Sequence, residues 1–155
     1  MVWLNLESVR TALHVQTKAE SGRAFDFSTG LDYKFTAYSL LHLYSQTLLP
    51  AGLRILQFSG DADPCVPYVG TERWVASLGL ETAAAWRPWR SPAQPQSEAQ
   101  GQVAGYVTRY KTGVEDKTFD FATVRDAGHM APRYKPLATL HMISAFLQDK
   151  PLAPL

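Results

Sequence analysis

The chain has 155 residues, 46% of them hydrophobic, enough for one ordinary domain with a real core. Its 15 basic and 14 acidic residues are scattered and leave a formal net charge of +1, so no basic face stands ready to neutralise phosphates and nucleic acid is not an expected partner. The apolar runs break well short of the roughly 20 residues that span a bilayer, and the N-terminus lacks the basic and apolar regions of a signal peptide, so a soluble chain with no membrane segment and no address label of its own is expected.

In chain order, Leu6 to His14 places Leu6, Val9, Ala12 and Leu13 on one helical face and predicts a short amphipathic helix. Gln16 to Leu31 turns polar, with breaks at Ser21-Gly22 and Thr29-Gly30, and reads as a loop. Thr36 to Leu49 is the clearest helix, carrying Leu40, Leu41, Leu43, Tyr44, Leu48 and Leu49 at mixed spacing before Pro50 and Gly52 stop it. Leu53 to Ser59 predicts a buried strand interrupted by Arg54 and Gln57, and Thr71 to Leu78 a helix with Trp74, Val75 and Leu78 inward. Glu81 to Trp89 and Val103 to Tyr110 read as a hairpin joined by a long proline-rich excursion over Ser91 to Gln96. Lys111 to Asp116 is a turn, Thr118 to Val124 a strand, and Pro136 to Leu147 a helix with proline at its tolerated first position. The order β, α, β, β, β, α suits the last third of an open α/β sheet, and no internal repeat is evident.

Two motifs carry chemistry. Gly60-Asp61-Ala62-Asp63 and Ala127-Gly128-His129-Met130 each follow a predicted strand directly. Singly, an aspartate in a turn or a Gly-His in a loop is common in proteins that catalyse nothing. Together they place a carboxylate and an imidazole where open α/β sheets present functional groups, at the carboxyl ends of strands. A carboxylate and a histidine are two thirds of a nucleophile, base and orienter triad, and their order along the chain is that of the α/β-hydrolases. The third member should be a serine on a Gly-x-Ser-x-Gly turn, and no such turn occurs between Met1 and Leu155. The chain therefore reads as part of a hydrolase.

Trp3-Leu4-Asn5 followed by Val9 to Val15, Leu53 to Pro67 (LRILQFSGDADPCVP), Trp86-Arg87-Pro88-Trp89, Val103 to Tyr106, Ala127 to Pro132 (AGHMAP) and Lys135 to Ala138 occur in the order seen in one family. Nearly end to end, the chain resembles the C-terminal part, or small chain, of a serine carboxypeptidase, the family of cathepsin A and the plant and yeast vacuolar carboxypeptidases. The resemblance implies the C-terminal portion of an α/β-hydrolase fold, an open and mostly parallel sheet with a hairpin and flanking helices. Residues 1–155 would be one incomplete segment, with 1–50 a helical lead-in and 51–155 the sheet portion.

Carried over to this numbering, His129 would be the general base and Asp63 its orienter, the second aspartate of the Gly-Asp-x-Asp pair being the one this family uses. Asp61 would stabilise the turn. Met130 would wall the leaving-group pocket and favour hydrophobic C-terminal residues, or else simply pack its loop. Cys65, the single cysteine, would be free and buried or paired with another chain. The family's usual bridge in the region of Gly22 to Ser28 has no cysteines here. His14, His42 and His141 on helices, and Trp74, Trp86 and Trp89 in the core, carry no expected chemistry.

By this resemblance the reaction is serine-type removal of C-terminal residues from peptides through an acyl-enzyme. Neither metal nor cofactor is called for. The implied partners are an N-terminal large chain bearing the nucleophilic serine and a peptide substrate, and the family admits a homodimer of the assembled enzyme. The implied location is lysosome, vacuole or secreted, with a preference for acidic to mildly acidic pH. Two other readings share the fold: an acyltransferase or hydroxynitrile lyase that reuses the triad, and an inactive fragment whose open sheet edge and apolar surface would associate.

Overall fold

The fold follows from where the chain alternates, breaks and winds, as seen in a computed structural model that describes residues 2–25, 34, 36–91 and 102–154. The chain divides into two units, Met1–Tyr38 and Ser39–Leu155. In the first, a 3-10 turn at Trp3–Asn5 leads into helix α1 (Glu7–Ala12), and a second helix, α2 (Lys18–Ser21), lies inside the segment expected to be a loop. Its cause is local: Thr17 and Glu20 form a reciprocal capping box, and Gly22 closes the turn at φ 67°. The Asn5 amide donates to the Phe25 carbonyl and its oxygen accepts the Phe25 N–H, tying the two ends of the described stretch together. Residues 26–31 of the expected loop lie outside the described residues.

The second unit opens with a helix shorter than the leucine pattern predicts. It comprises α3 (Leu41–Leu43) and a π-wound continuation over Tyr44–Leu48. The Ser39 hydroxyl accepts the Leu41 N–H, an alternative to helical bonding that sets the start late. The Leu49 N–H reaches back to the Tyr44 carbonyl, and the wider turn brings both residues onto one cluster.

Strand β1 (Ile55–Gly60) is followed by helix α4 (Tyr68–Ala76), which begins at Pro67 and so starts a turn earlier than predicted. Strands β2 (Thr82–Arg90), β3 (Val103–Lys111) and β4 (Thr118–Val124), then helices α5 (Ala131–Tyr134) and α6 (Pro136–Leu147), complete the unit. These three strands and α6 lie where expected, as β1 does to within two residues; α5 was not anticipated. Beyond Ser91, the proline-rich excursion lies outside the described residues.

The sheet has the order β1-β4-β3-β2. Only β1 and β4 run parallel; β4 with β3 and β3 with β2 are antiparallel. Within this chain the sheet is thus mostly antiparallel; the link from β3 to β4 is too short for the crossover a parallel pair needs, whereas β1 reaches its parallel neighbour through all the intervening elements. The mixed α/β class, the hairpin and the flanking helices are those of the C-terminal portion of an α/β-hydrolase fold.

Strand β4 is covered on both faces, so its residues are buried almost without a break. Phe119 and Phe121 face a cluster with Leu49 and Val75, while Ala122 and Val124 join Trp89, Val107, Ala131 and Met142. The buried Asp120 pairs with Arg109 on β3 through two bonds of 2.7 Å, which satisfies its charge. Trp89 on β2 reaches across β3 to donate to the Thr123 carbonyl at 3.1 Å, and Gly105 makes room, since a Cβ there would overlap that carbonyl. Trp89 is fully buried and Trp74 packs against the second cluster, but Trp86, expected in the core, is 41% exposed and stacks on Tyr106. Among the described residues no helix is long and apolar enough to cross a membrane.

Candidate active site

The parallel pairing of β1 with β4 sets Gly60 opposite Val124, so the loops that leave the two strands start side by side. Gly60 is what lets them close. A Cβ on it would overlap the Ala127 carbonyl oxygen and stand 2.5 Å from that of Gly128, so only a residue without one fits. Across this seam the Asp61 N–H donates to the Val124 carbonyl at 3.1 Å and the Ala62 N–H to that of Ala127 at 3.0 Å. The Asp61 carboxylate accepts the Asp126 N–H at 2.7 Å. Asp61 therefore bonds to the opposite loop rather than within its own turn, which differs from the role expected for it.

The seam brings the sequence-predicted pair together: His129 Nδ1 lies 2.9 Å from Asp63 Oδ2. The Asp63 side chain is 5% exposed and that of His129 is 58% exposed, so the carboxylate is the anchored member and the imidazole the accessible one. The other carboxylate oxygen, Oδ1, accepts the Cys65 N–H at 2.8 Å and the Val66 N–H at 3.2 Å. Burial pushes the Asp63 carboxyl up; the hydrogen bond from His129, those from Val66 and Cys65 and the charge of the imidazole outweigh it and hold the group below the ordinary carboxylate range. An ionised Asp63 makes His129 Nδ1 the donor. Among the described residues no hydrogen bond is made to Nε2.

Since folding lowers the pKa of Asp63, the stability it contributes is complete above its unfolded value and is lost as pH falls through the folded one. In urea unfolding of the full-length polypeptide, Asp63→Asn should be less stable than the parent at neutral and mildly acidic pH, with the gap closing only below the ordinary carboxylate range. A gap that does not vary with pH would refute this.

Beside the pair lies a cavity of about 140 Å³ walled by the end of β1 from Gln57 to Gly60, by Val66, by Thr71 of α4 and by Ala131. Met130, expected to wall a pocket here, is 48% exposed and does not line this cavity. Cys65 is free and exposed, which corrects the expectation that a free thiol here would be buried; it serves the site through its backbone N–H. His42 lies on α3 and His141 on α6, stacked beside Trp89; His14 follows α1 at φ 55° rather than lying within a helix. Among the described residues no cluster of three or more His, Cys, Asp or Glu is placed to hold a metal ion. Sequence reasoning missed the seam itself; the one local signal for it was a glycine standing between a strand and the first aspartate.

The structure thus places an exposed histidine against a buried aspartate at the ends of two adjacent parallel strands. Residues 1–149 match the serine carboxypeptidase family. The chain is 37% identical over 145 residues to serine carboxypeptidase-like 21 of Arabidopsis thaliana, covering 94% of this chain and 26% of that protein. It is 35% identical over 150 residues to serine carboxypeptidase 1 of Hordeum vulgare, covering 97% and 27%. With serine carboxypeptidase-like 20 of Arabidopsis thaliana it shares 36% over 146 residues, covering 94% and 27%. The chain belongs to the serine carboxypeptidase family, and it spans about a quarter of the length of these curated relatives.

Proposed function

We propose that this chain supplies the histidine and the aspartate of a serine carboxypeptidase triad, with the nucleophilic serine coming from a large N-terminal chain. The observation that carries the reading is the 2.9 Å contact between His129 Nδ1 and Asp63 Oδ2 at the ends of β1 and β4. In this role His129 Nε2 takes the serine proton as the hydroxyl attacks the carbonyl of the last peptide bond, then returns a proton to the departing amine. The acyl-enzyme is hydrolysed by water activated at the same nitrogen. Asp63 stays ionised throughout, holds the tautomer and stabilises the imidazolium.

Residues 1–155 form one segment of the α/β-hydrolase domain, 1–50 leading in and 51–155 carrying the sheet and the pair. Met130, exposed beside His129, offers an adaptable apolar wall to the side chain of the leaving residue. The substrate is a peptide, and the assembled enzyme works as a monomer or homodimer in a lysosome, vacuole or secreted setting. An acidic setting suits an Asp63 held below the ordinary carboxylate range, since it stays ionised there.

The test is to treat the native protein with a serine-directed phosphonate and weigh it under native and denaturing conditions, then assay a blocked dipeptide. The expected result is one labelled serine on a Gly-x-Ser-x-Gly peptide outside these residues, together with release of the C-terminal amino acid. No label and no release would overturn the reading. Acyl transfer to an alcohol without peptide hydrolysis would replace it with the acyltransferase chemistry.

A further inference from the structure

We propose that Asp61 is a positioning residue that holds the His129 loop against Asp63 by accepting the Asp126 backbone N–H. The inference rests on the proposed role of the pair and extends it to a residue outside it. The imidazole of His129 is 58% exposed and the bond to Asp63 is its one hydrogen bond among the described residues, so packing does little to aim it. Its aim is set by the backbone of residues 125–129. That backbone makes an unusual bend: Asp126 has φ 53°, in the left-handed region that a residue with a Cβ adopts at a cost. The Asp126 N–H presented by this bend points at Asp61 Oδ1, at 2.7 Å.

The bond closes a three-bond seam. On either side of it, Asp61 N–H donates to Val124 and Ala62 N–H to Ala127, both backbone to backbone. Of the three, only the middle one depends on a side chain. The carboxylate has no cation partner among the described residues; Arg125 and Lys135 both face Asp126 instead, at 3.7 Å. Asp61 therefore acts through one accepted hydrogen bond, from the strand-following loop that bears Asp63 to the one that bears His129. Their relative placement is the quantity that decides whether Nδ1 and Oδ2 meet.

Asp61→Asn keeps the acceptor oxygen and loses the charge, whereas Asp61→Glu keeps the charge and moves the acceptor by one methylene. The experiment makes both, with Asp61→Ala, in the full-length polypeptide, and reads kcat and KM on a blocked dipeptide together with the low-field 1H NMR resonance of the His129 Nδ1 proton. Ala and Glu should lower kcat by about 10-fold to 100-fold with KM within about twofold, the loss that small misplacement of a catalytic group brings. Asn should recover most of kcat. The Nδ1 resonance, the mark of the bond from Nδ1 to Asp63, should be weakened or lost in Ala and Glu and recovered in Asn. Glu behaving as the parent while Asn behaves as Ala would show that charge, not the hydrogen bond, matters, and would overturn the proposal. So would parental kcat and a parental Nδ1 resonance in Ala and Glu. Absence of turnover in the parent would instead strike the carboxypeptidase reading, and the Nδ1 resonance would still decide the role of Asp61.

Discussion

Replacing His129 with alanine in the full-length polypeptide should lower kcat by on the order of 10⁶ while leaving assembly intact. The two halves of this expectation have separate causes. In the proposed role the imidazole takes the proton of the attacking hydroxyl, so its loss falls on the chemical step. The fold loses only one hydrogen bond from a side chain that is 58% exposed, and Asp63 keeps the N–H groups of Cys65 and Val66. Asp63→Asn should cost on the order of 10⁴, since it leaves the ring in place but favours the wrong tautomer. Steady-state turnover of a blocked dipeptide, with native mass as the control for assembly, measures both. Turnover by His129→Ala at the parental rate would remove His129 from the mechanism.

The second large effect is expected at a residue with no side chain. Gly60→Ala should destabilise the protein by about 3 kcal/mol and lower kcat by about 100-fold. The added methyl meets the carbonyl oxygens of Ala127 and Gly128, which are backbone atoms held by the seam and unable to swing aside as a flexible side chain would. To relieve the overlap the two loops must part, breaking the bonds between Ala62 and Ala127 and between Asp61 and Asp126 and carrying His129 away from Asp63. Urea unfolding and turnover of the variant read the two consequences independently. A Gly60→Ala protein with parental stability and kcat would mean that the seam does not set the distance between the catalytic groups.

The same seam marks the divide between what was legible in the chain and what was not. Strands β2, β3 and β4 and helix α6 were legible because their signals are local: alternation, β-branched and aromatic residues, and a proline at the first helical turn. The leucines from Leu40 to Leu49 promised a longer helix than forms, because periodicity does not register the Ser39 hydroxyl competing for the Leu41 N–H. Trp86 was misplaced in the core for a related reason, since apolar character alone does not say which stretch of a sheet face another element covers.

By itself the sequence determined that the chain is α/β, that its polar motifs stand at the ends of strands, and that Asp63 and His129 are the residue types that make a base and its orienter. These are properties of composition, period and short spacing. Only the tertiary structure decided that β1 lies parallel to β4, that Gly60 lets two backbones touch, that Asp61 bonds across to Asp126 rather than within its turn, and that Cys65 contributes an N–H rather than a thiol. Each of these depends on contacts between residues far apart in the chain, and no local pattern encodes the register that brings them together.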